Sequence, residues 1–385
     1  MIASKYDVVV VGAGILGTFH AHALAKLGKK VAVFEKDSTP REATVRNFGQ
    51  VVPSGFPNGR WHQYGRFSTE LFKSIQAKKD IGIHSNGSLY IASDESEMQL
   101  LIELQAQFNA TDYPSELLTK EQVLAHSSLL KGDYPVGGLF FKQEVSAESR
   151  RLIRSIHDFI TETGNVTFFY ETAVVETQET TSGVKVKLAN GSAVECEKVL
   201  ICNGRDFQFL YPEIFKQAPI EISKLQMLVS TPIATPLHGN ILTGMTVRRY
   251  ESFKGCPSYG QLDPKNAHPE LAEKGIHILF KQRPDGSIVI GDSHVYADNS
   301  SGFDAGFEEE EYINQLIIQE AKRIIDAPVL HIAATWSGFY AQMKGHGEIF
   351  EHTIGSNIHI VTGIGGKGMT ASAGYAHEHV QKLFF

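Results

Sequence analysis

The sequence has little of what marks secreted, membrane-spanning or nucleic-acid-binding proteins. Its 385 residues include only three cysteines, and none of them forms a CxxC pair. An odd number of cysteines is a poor basis for a disulfide framework, so buried, reduced thiols are expected. No apolar run approaches the roughly 18 to 20 residues that a membrane-spanning helix requires. The formal net charge of −7 argues against a nucleic-acid-binding surface.

The chain also lacks internal repeats, low-complexity linkers and a recognisable export signal. Its first residues pass from one lysine into a short apolar run, without the longer stretch and cleavage site of a signal peptide. A cytoplasmic location is therefore expected. With 42% hydrophobic and 21% charged residues the chain is typical of a globular protein. Its length favours two domains, or one domain interrupted by another.

The first forty residues follow a strand–helix–strand pattern. Residues 7–11 (DVVVV) are typical of a parallel strand that is buried on both faces. Apolar residues then recur at helical spacing from Ile15 to Leu27, and Gly28 is placed to end that helix. Residues 31–34 give the second strand, so the chain opens with a βαβ unit.

Farther along, strands alternate with shorter helical segments. An Asn-Gly pair at 190–191 supplies the positive φ angles that a tight hairpin turn needs. Predicted strands are residues 88–92, 137–141, 184–188, 193–197, 199–202, 276–282, 287–291 and 358–362. Predicted helices are residues 97–108, 120–125, 149–163, 308–325 and 371–383.

Residues 12–17 (GAGILG) are a GxGxxG motif between the first strand and the first helix. In such a motif Gly12 permits a tight turn, Gly14 lets a pyrophosphate approach the backbone, and Gly17 lets the helix pack closely on the strand. The helix N-terminus adds unpaired N–H groups and a partial positive charge. Glu35, at the end of the second strand, can hold a ribose hydroxyl and would repel a 2′-phosphate. The motif predicts a dinucleotide site and disfavours NADP.

A second glycine-rich turn, residues 362–370, lies between the last predicted strand and the last helix. It is not a P-loop, which requires GxxxxGK[ST], because Met369 follows Gly368. Its backbone N–H groups suit an anionic or carbonyl-rich ligand edge, such as the N1–C2=O edge of a flavin. A βα turn without a ligand is the alternative.

Together these segments resemble the FAD-dependent D-amino-acid oxidase superfamily, which includes glycine oxidase and sarcosine oxidase. The resemblance covers nearly the whole chain. It rests on the N-terminal motif with Glu35 and on residues 44–49 (TVRNFG), 199–204 (VLICNG) and 366–370 (GKGMT). In that family the second segment lines the flavin, the third closes the cofactor domain, and the last contacts the ring.

Motifs and resemblance predict an α/β fold with a discontinuous Rossmann-type FAD-binding domain and an interposed, sheet-rich α+β substrate domain. The first would comprise residues 1–85, 145–217 and 328–385, and the second residues 86–144 and 218–327. FAD is the implied cofactor. The residues implied to bind it are Gly12, Ala13, Gly14, Ile15, Leu16, Gly17, Phe34, Glu35, Lys36, Thr44, Arg46, Asn47, Gly49, Val174, Asn203, Gly204, Trp336, Gly338, Gly363, Gly366, Lys367, Gly368, Met369 and Thr370.

Two departures from the family pattern bear on the cofactor and on the electron acceptor. Sarcosine oxidases attach flavin to a cysteine in a segment resembling residues 334–340, which contains none here. We therefore predict FAD held non-covalently. The same enzymes place a lysine beside the flavin for oxygen reactivity, and Val289 occupies that position in this chain. The electron acceptor is therefore oxygen or another oxidant.

A narrower resemblance concerns residues 275–277 (GIH), 291–294 (GDSH) and 335–340 (TWSGFY). These segments resemble a branch associated with organophosphonate breakdown. That resemblance would imply a small aminophosphonate, or its N-methyl derivative, as the substrate.

The predicted activity is FAD-dependent oxidation of a small primary or secondary amine that carries an acidic group. Hydride would pass from the carbon beside nitrogen to flavin N5, and the imine would hydrolyse to an aldehyde or keto acid. Arg46 is the first candidate for holding the acidic group, because a guanidinium fork matches carboxylate or phosphonate. Its alternative role is a structural contact to FAD or to a backbone carbonyl. His277 and Tyr340 are the other candidate catalytic residues.

Several alternatives remain at this point. A FAD-dependent 2-hydroxy-acid dehydrogenase could use the same fold, and so could a non-catalytic FAD-binding module. No metal site is predicted, because Asp292 and His294 offer two ligands on one strand face without a visible second cluster. Residues 248–250 (RRY) are expected at a solvated strand edge rather than in a ligand site.

Overall fold

The structure is a computed structural model and describes residues 5–262, 268–345 and 347–385. The strands are β1 (Val8–Val11), β2 (Val31–Phe34), β3 (Gln50–Val51), β4 (Ile83–His84), β5 (Ser88–Ala92), β6 (Glu116–Thr119), β7 (Gly137–Phe141), β8 (Val145–Ala147), β9 (Val166–Phe169), β10 (Val174–Thr180), β11 (Gly183–Leu188), β12 (Ala193–Cys196), β13 (Lys198–Ile201), β14 (Ile220–Ser230), β15 (Asn240–Leu242), β16 (Leu279–Gln282), β17 (Ile288–Gly291), β18 (Val295–Asp298), β19 (Ile332–Met343), β20 (Phe350–Ile354) and β21 (Ile358–Thr362). The helices are α1 (Ile15–Lys26), α2 (Arg60–Gln76), α3 (Glu95–Asn109), α4 (Lys120–His126), α5 (Ser149–Thr161), α6 (Pro212–Gln217), α7 (Gly244–Val247), α8 (Pro269–Glu273), α9 (Glu311–Ile324) and α10 (Gly368–Phe384).

The apolar run near the N-terminus forms the centre of a six-stranded sheet in the order β20-β21-β13-β1-β2-β9. Strand β1 pairs in parallel with β13 and with β2. Val8 and Val10 pack in one buried cluster with residues of α1, α5 and α10, and Val9 packs in another with residues of β11 and β12. Because β1 is covered on both faces, every position in it is apolar. This sheet confirms the predicted Rossmann-type fold.

A second, nine-stranded sheet is built around β14. Its path is β18-β14-β17-β16-β15-β5-β7-β6, and β19 pairs with β14 as well. One face carries Phe280 and Ile290, which share a buried cluster with Ile313 and Ile317 of α9. The mixed sheet with a helix on one face confirms the predicted α+β character.

Most predicted elements are confirmed with shifted ends. Several elements were not predicted, among them the strands β9, β10 and β19 and the helix α2. Helix α2 buries the polar side chains of His62, Ser68 and Thr69 beside aromatic rings, which obscures its buried face in the sequence. All three cysteines are buried and free, as expected. No helix of the described residues is long and apolar enough to cross a membrane.

The expectation for residues 248–250 was wrong, because they follow the short helix α7 rather than a strand. Arg248 is buried, and its Nε donates to Glu97 at 2.6 Å while its Nη2 pairs with Asp94. These carboxylates lie 151 and 154 residues away in the chain. Contacts between residues so far apart in the chain cannot be predicted from the local sequence around Arg248.

The domain boundaries stay a prediction. Strand β19 lies within residues 328–385, which were assigned to the cofactor domain, yet its ladder joins it to β14 of the nine-stranded sheet. Residues 1–4, 263–267 and 346, which the predicted segments include, lie outside the described residues.

Replacing Phe280 by alanine should lower the free energy of unfolding by about 3 to 5 kcal/mol, because its ring is fully buried. Equilibrium unfolding in urea measures the change. The matched control is Phe307→Ala, whose side chain is 84% exposed and which should change stability by less than about 0.5 kcal/mol. Equal losses in the two variants would contradict the core position of Phe280.

Candidate active site

A continuous groove, here called the cofactor groove, lies beyond the carboxyl ends of β1, β2, β13 and β21. Two adjoining clefts form it and share Gly14, Thr44 and Gly204. Carboxyl ends of strands are where ligands bind in open α/β sheets. The predicted residues that line the groove are Gly12, Gly14, Ile15, Leu16, Phe34, Glu35, Lys36, Thr44, Asn47, Val174, Asn203, Gly204, Tyr340, Gly363, Gly366, Gly368 and Met369.

The glycines of the first motif stand where a side chain has no room. Gly12 has φ +96°, and a Cβ atom on it would lie 2.4 Å from the carbonyl oxygen of Cys202. A Cβ atom on Gly17 would lie 2.0 Å from the carbonyl oxygen of Gly12. The turn and the close packing of α1 on β1 therefore require these glycines, as predicted from the motif.

Glu35 is fixed at one end of the groove. Its Oε2 accepts the N–H of Ala13 at 3.0 Å and its Oε1 accepts the N–H of Asp37 at 3.1 Å. Each carboxylate oxygen keeps further capacity to accept a hydrogen bond from a ribose hydroxyl. Nearby, the buried Oδ1 of Asn203 has no hydrogen-bond partner among the described residues. A glutamate and an unpaired acceptor in a groove fit a ligand that brings hydroxyl donors.

The segment 44–49 is tied to the N-terminus of α1. Thr44 Oγ1 accepts the N–H of Ile15 at 3.0 Å. The Asn47 amide donates to the carbonyl oxygen of Thr44 at 2.7 Å and accepts the N–H of Gly49 at 2.7 Å. These bonds hold the segment against the groove, where the resemblance places the flavin.

Arg46 is held by two backbone carbonyls. Its Nε donates to Arg41 O at 2.7 Å and its Nη1 donates to Ser337 O at 3.1 Å. In turn, the indole N–H of Trp336 donates to Arg46 O at 3.4 Å, and a Cβ atom on Gly338 would lie 2.9 Å from the same oxygen. These contacts match the structural alternative for Arg46, and they join β19 to the segment 44–49.

The second glycine turn meets the other end of the groove. A Cβ atom on Gly366 would meet nothing within 4 Å, so the turn is open there. Thr370 Oγ1 accepts the N–H of Val52 at 3.2 Å, and Lys367 Nζ lies 5.2 Å from the Trp61 ring centroid. The predicted cofactor residues that do not line the groove themselves are Ala13, Gly17, Arg46, Gly49, Trp336, Gly338, Lys367 and Thr370.

Some groove residues were not predicted, and Arg205 is the most prominent of them. Its Nε pairs with Glu42 at 2.8 Å, and its guanidinium lies 4.5 Å from the centroid of the Phe339 ring. It directly follows Asn203 and Gly204 in the sequence. A cation next to a predicted cofactor turn was the signal that could have identified it.

The nine-stranded sheet turns one face, here called the pocket face, towards the segment 48–52. Met227, Leu279 and Val289 on this face share a buried cluster with Phe48 and Val52, and the Trp336 and Tyr340 side chains pack against it. Tyr340 also lines the cofactor groove. The pocket face and the groove therefore meet at Tyr340.

Lys281 lies on the pocket face and was not predicted as a site residue. It is the cross-strand partner of Val289, the position at which the family resemblance expects a lysine. Its Nζ donates to Ala147 O at 2.6 Å, and a Cβ atom on Gly49 would lie 2.7 Å from this nitrogen. Burial, aided by the charge of Arg283, lowers the pKa of Lys281 to about 7. The hairpin register was the sequence signal that could have located it.

His277 comes together with two other ligand-type side chains, Asp292 and His294. His277 and Asp292 exchange backbone hydrogen bonds of 3.1 and 2.9 Å, which places them side by side. His277 Nδ1 lies 3.4 Å from Asp292 Oδ1, and His294 Nδ1 lies 4.0 Å from it. No metal site was expected from the sequence, in which only Asp292 and His294 share a strand face, and the structure brings His277 to them as a third ligand-type side chain.

Burial governs the ionisation of these three side chains. It raises the pKa of Asp292 to about 7 and lowers the pKa values of His277 and His294 well below their usual range. The positive charge of Arg249 adds to the lowering at both histidines. Burial, together with the charge of Asp292, raises the pKa of Tyr340 far above 10. Perturbed groups that lie close together are typical of a functional site.

Replacing Gly12 by alanine should reduce the affinity for the predicted FAD by at least about 100-fold, because left-handed backbone costs about 1–2 kcal/mol and the clash with Cys202 adds to it. The flavin absorbance of the purified protein measures bound cofactor. Gly132→Ala is the control, since its Cβ atom would meet nothing within 4 Å. Full flavin content in the Gly12 variant would contradict the geometry of the turn.

Lys281 should make stability rise with pH above neutrality. Between its folded pKa of about 7 and its usual value of 10.5, the unfolded chain binds one more proton than the folded chain. The free energy of unfolding should therefore increase by up to about 1.4 kcal/mol per pH unit in this window. Urea unfolding from about pH 7 to about pH 9 measures the slope, which Lys281→Met should lack. Lys254→Met, at an exposed position, should keep it, and an unchanged slope in Lys281→Met would contradict the assignment.

Known proteins with similar sequences or structures support the family and the fold of this chain. Residues 7–381 match the model of the family described as FAD dependent oxidoreductase (DAO). Glycine oxidase of Bacillus licheniformis is 29% identical over 208 residues, which cover 52% of this chain and 54% of that protein. The chain thus spans about half the length of this curated relative.

Two solved structures share the fold. L-proline dehydrogenase of P. horikoshii superposes with a TM-score of 0.81 at 19% identity and covers 100% of this chain and 94% of that one. L-α-glycerophosphate oxidase of Mycoplasma pneumoniae, solved with FAD bound, has a TM-score of 0.78 at 16% identity and covers 100% and 96%. The family match extends over nearly the whole chain. The chain therefore belongs to the FAD-dependent oxidoreductase (DAO) family, is an oxidoreductase, and has FAD as its cofactor.

Proposed function

We propose that this chain oxidises a small primary or secondary amine that carries an acidic group. Bound FAD would accept hydride from the carbon beside the nitrogen, and the imine product would hydrolyse to an aldehyde or keto acid. The names of two similar proteins, glycine oxidase and L-proline dehydrogenase, denote a primary and a secondary amino acid. Amino acids, N-methyl amino acids and aminophosphonates are the proposed substrate class.

The observation that carries this proposal is the buried amino group of Lys281, whose pKa is lowered by burial. An amine substrate is an ammonium ion in neutral water, and it must lose a proton before the adjacent C–H bond can give up hydride. With its pKa lowered to about 7, Lys281 is largely unprotonated just above neutrality. Its Nζ lies beside Gly49 and can accept that proton within the pocket.

An arginine is proposed to orient the acidic group, and there are two candidates. Arg46 remains the candidate from the sequence, although two of its donors are used by carbonyls. Arg249 is half-buried, precedes Tyr250, and donates from Nη2 to the Tyr296 hydroxyl at 3.0 Å. The positive charge of Arg249 acts on the pKa values of His277, Asp292 and His294, which places this arginine near them. We propose Arg249 as the main contact.

Non-covalent attachment of FAD is part of the proposal. Cys202 lines the groove, but burial raises the pKa of its thiol, which disfavours the thiolate that a covalent link would need. Val289 alone made oxygen a doubtful acceptor, whereas Lys281 brings an amino group to the same face. Oxygen and another oxidant therefore both remain proposed acceptors.

An anaerobic screen of flavin absorbance near about 450 nm tests the reaction. Glycine, N-methylglycine, aminoethylphosphonate and its N-methyl derivative form the amine arms, and glycolate and lactate form the hydroxy-acid arm. Bleaching by at least one acidic amine is expected. Bleaching by hydroxy acids alone would reverse the assignment in favour of the dehydrogenase alternative. A yellow protein that no compound bleaches would favour a non-catalytic module.

Replacing Arg249 by alanine should raise the amine concentration for half-maximal bleaching at least about tenfold, the loss of about 1.4 kcal/mol of binding. The same measurement on Arg46→Ala compares the two arginines directly. Arg154→Ala, on the exposed side of α5, is the matched control and should behave as wild type. An unchanged half-maximal concentration in Arg249→Ala would contradict its proposed role.

A further inference from the structure

We propose that His277, Asp292 and His294, here called the triad, bind a divalent transition-metal ion such as Zn²⁺. We further propose that the bound ion holds an oxygen of the substrate's acidic group. The second statement rests on the proposed function, whereas the first depends only on the three side chains.

The spacing of the triad suits a metal ion. Taking one ligand atom from each residue, these atoms lie within 4.8 Å of one another. His277 Nδ1 and Asp292 Oδ1 are 3.4 Å apart. Two ligands of a tetrahedral zinc ion, at bond lengths of about 2.0–2.1 Å, are also separated by about 3.4 Å. One edge of a coordination site is therefore already formed.

Two of these atoms lack another partner. His277 Nδ1 and Asp292 Oδ1 are buried, and neither has a hydrogen-bond partner among the described residues. Their side chains are only 5% and 7% exposed, so bulk water does not satisfy them. Unpaired buried polar atoms are rare in proteins and call for a specific explanation. A cation between them satisfies both.

The third side chain is held as metal-binding histidines usually are. His294 Nδ1 lies 3.2 Å from Gly275 O, and because a carbonyl oxygen only accepts, the Nδ1–H must donate. This hydrogen bond leaves the Nε2 lone pair available. A backbone carbonyl that fixes the tautomer of a histidine ligand is a common arrangement around bound metals.

The three ligand types indicate which metal ions fit, and their number leaves a coordination position free for substrate. Two imidazoles and one carboxylate suit zinc and its first-row neighbours, whereas magnesium and calcium prefer oxygen ligands alone. Three protein ligands leave at least one position free, as in catalytic rather than structural zinc sites. The Tyr250 ring borders the triad, 5.8 Å from the His277 ring.

The charge of Arg249 decides what occupies that open position. The Tyr296 ring lies 6.2 Å from the His294 ring, and Tyr296 Oη receives a hydrogen bond from Arg249. A guanidinium near a divalent ion repels it. A carboxylate or phosphonate that lies between the two cations removes this repulsion, so ion and acidic substrate should strengthen each other's binding.

Calorimetric titration of the FAD-loaded enzyme with Zn²⁺, after dialysis against a chelator, tests the site. About one ion per chain is expected for wild type. Asp292→Asn and His294→Gln should each raise the dissociation constant for Zn²⁺ at least about tenfold. His352→Gln, on the exposed strand β20, is the matched control and should bind as wild type does. Absence of zinc binding in wild type, or wild-type affinity in both triad variants, would overturn the proposal.

Flavin absorbance shows whether each variant has folded. Should Asp292→Asn lose its flavin, the wild-type stoichiometry and His294→Gln still decide the outcome. The role in substrate binding is tested by anaerobic bleaching with and without Zn²⁺. Zinc should lower the half-maximal concentration of an acidic amine at least about tenfold and leave that of a neutral amine unchanged. An equal effect on both amines would overturn that role.

Failure of this proposal is distinguishable from failure of the proposed function. Bleaching by acidic amines in an enzyme that binds no Zn²⁺ in the titration would contradict the metal site alone. Zinc bound by the triad in a protein that no amine bleaches would support the metal site and contradict the proposed function.

Discussion

The rest of the site depends on a turn that has no room for side chains. Between β1 and α1 the backbone passes so close to Cys202 O that only glycine fits at position 12. The same turn presents the N–H of Ala13 to Glu35 and the N–H of Ile15 to Thr44. Behind it, His157 Nε2 lies 3.1 Å from Ala13 O. One steric constraint thus positions segments that are far apart in the chain around one groove.

Strand β19 connects the cofactor groove to the nine-stranded sheet. Strand β19 forms its ladder with β14, while its Trp336 donates to Arg46 O in the segment that lines the groove. Near its other end, Gln342 forms an isolated bridge with Ile364 of the second glycine turn. These contacts join the nine-stranded sheet both to the segment 44–49 and to the second glycine turn. The positions of Lys281 and the triad relative to the groove therefore depend on the contacts of β19.

The sequence was informative wherever structure is local. The βαβ opening, the tight turn of the glycine motif and the hairpin at Asn190-Gly191 each depend on residues close in the chain, and the structure contains all three, although only Gly191 of that pair has a positive φ. The residues that decide the pocket depend on register and on distant partners. Lys281 lies on the pocket face because it is the cross-strand partner of Val289. The family resemblance indicates only the position of Val289, and the neighbouring strand that carries Lys281 follows from the pairing register.

The same reason explains the other differences. The triad requires His277 beside Asp292, a pairing made by two backbone hydrogen bonds outside regular strand β16. Arg248 appeared solvated in the sequence because its carboxylate partners belong to α3 and the residue before it. Arg46 was predicted from the sequence as a contact to substrate or FAD, and only the fold shows that carbonyls already use two of its donors.

The long strand β19 also bears on how the two sheets can move relative to each other. Its ladder with β14, which pairs without interruption from Ile220 to Leu228, lies wholly within the nine-stranded sheet. Motion between the two sheets would therefore leave this ladder intact. It would instead break the contacts of β19 with the segment 44–49 and with Ile364, which are a few hydrogen bonds and one isolated bridge.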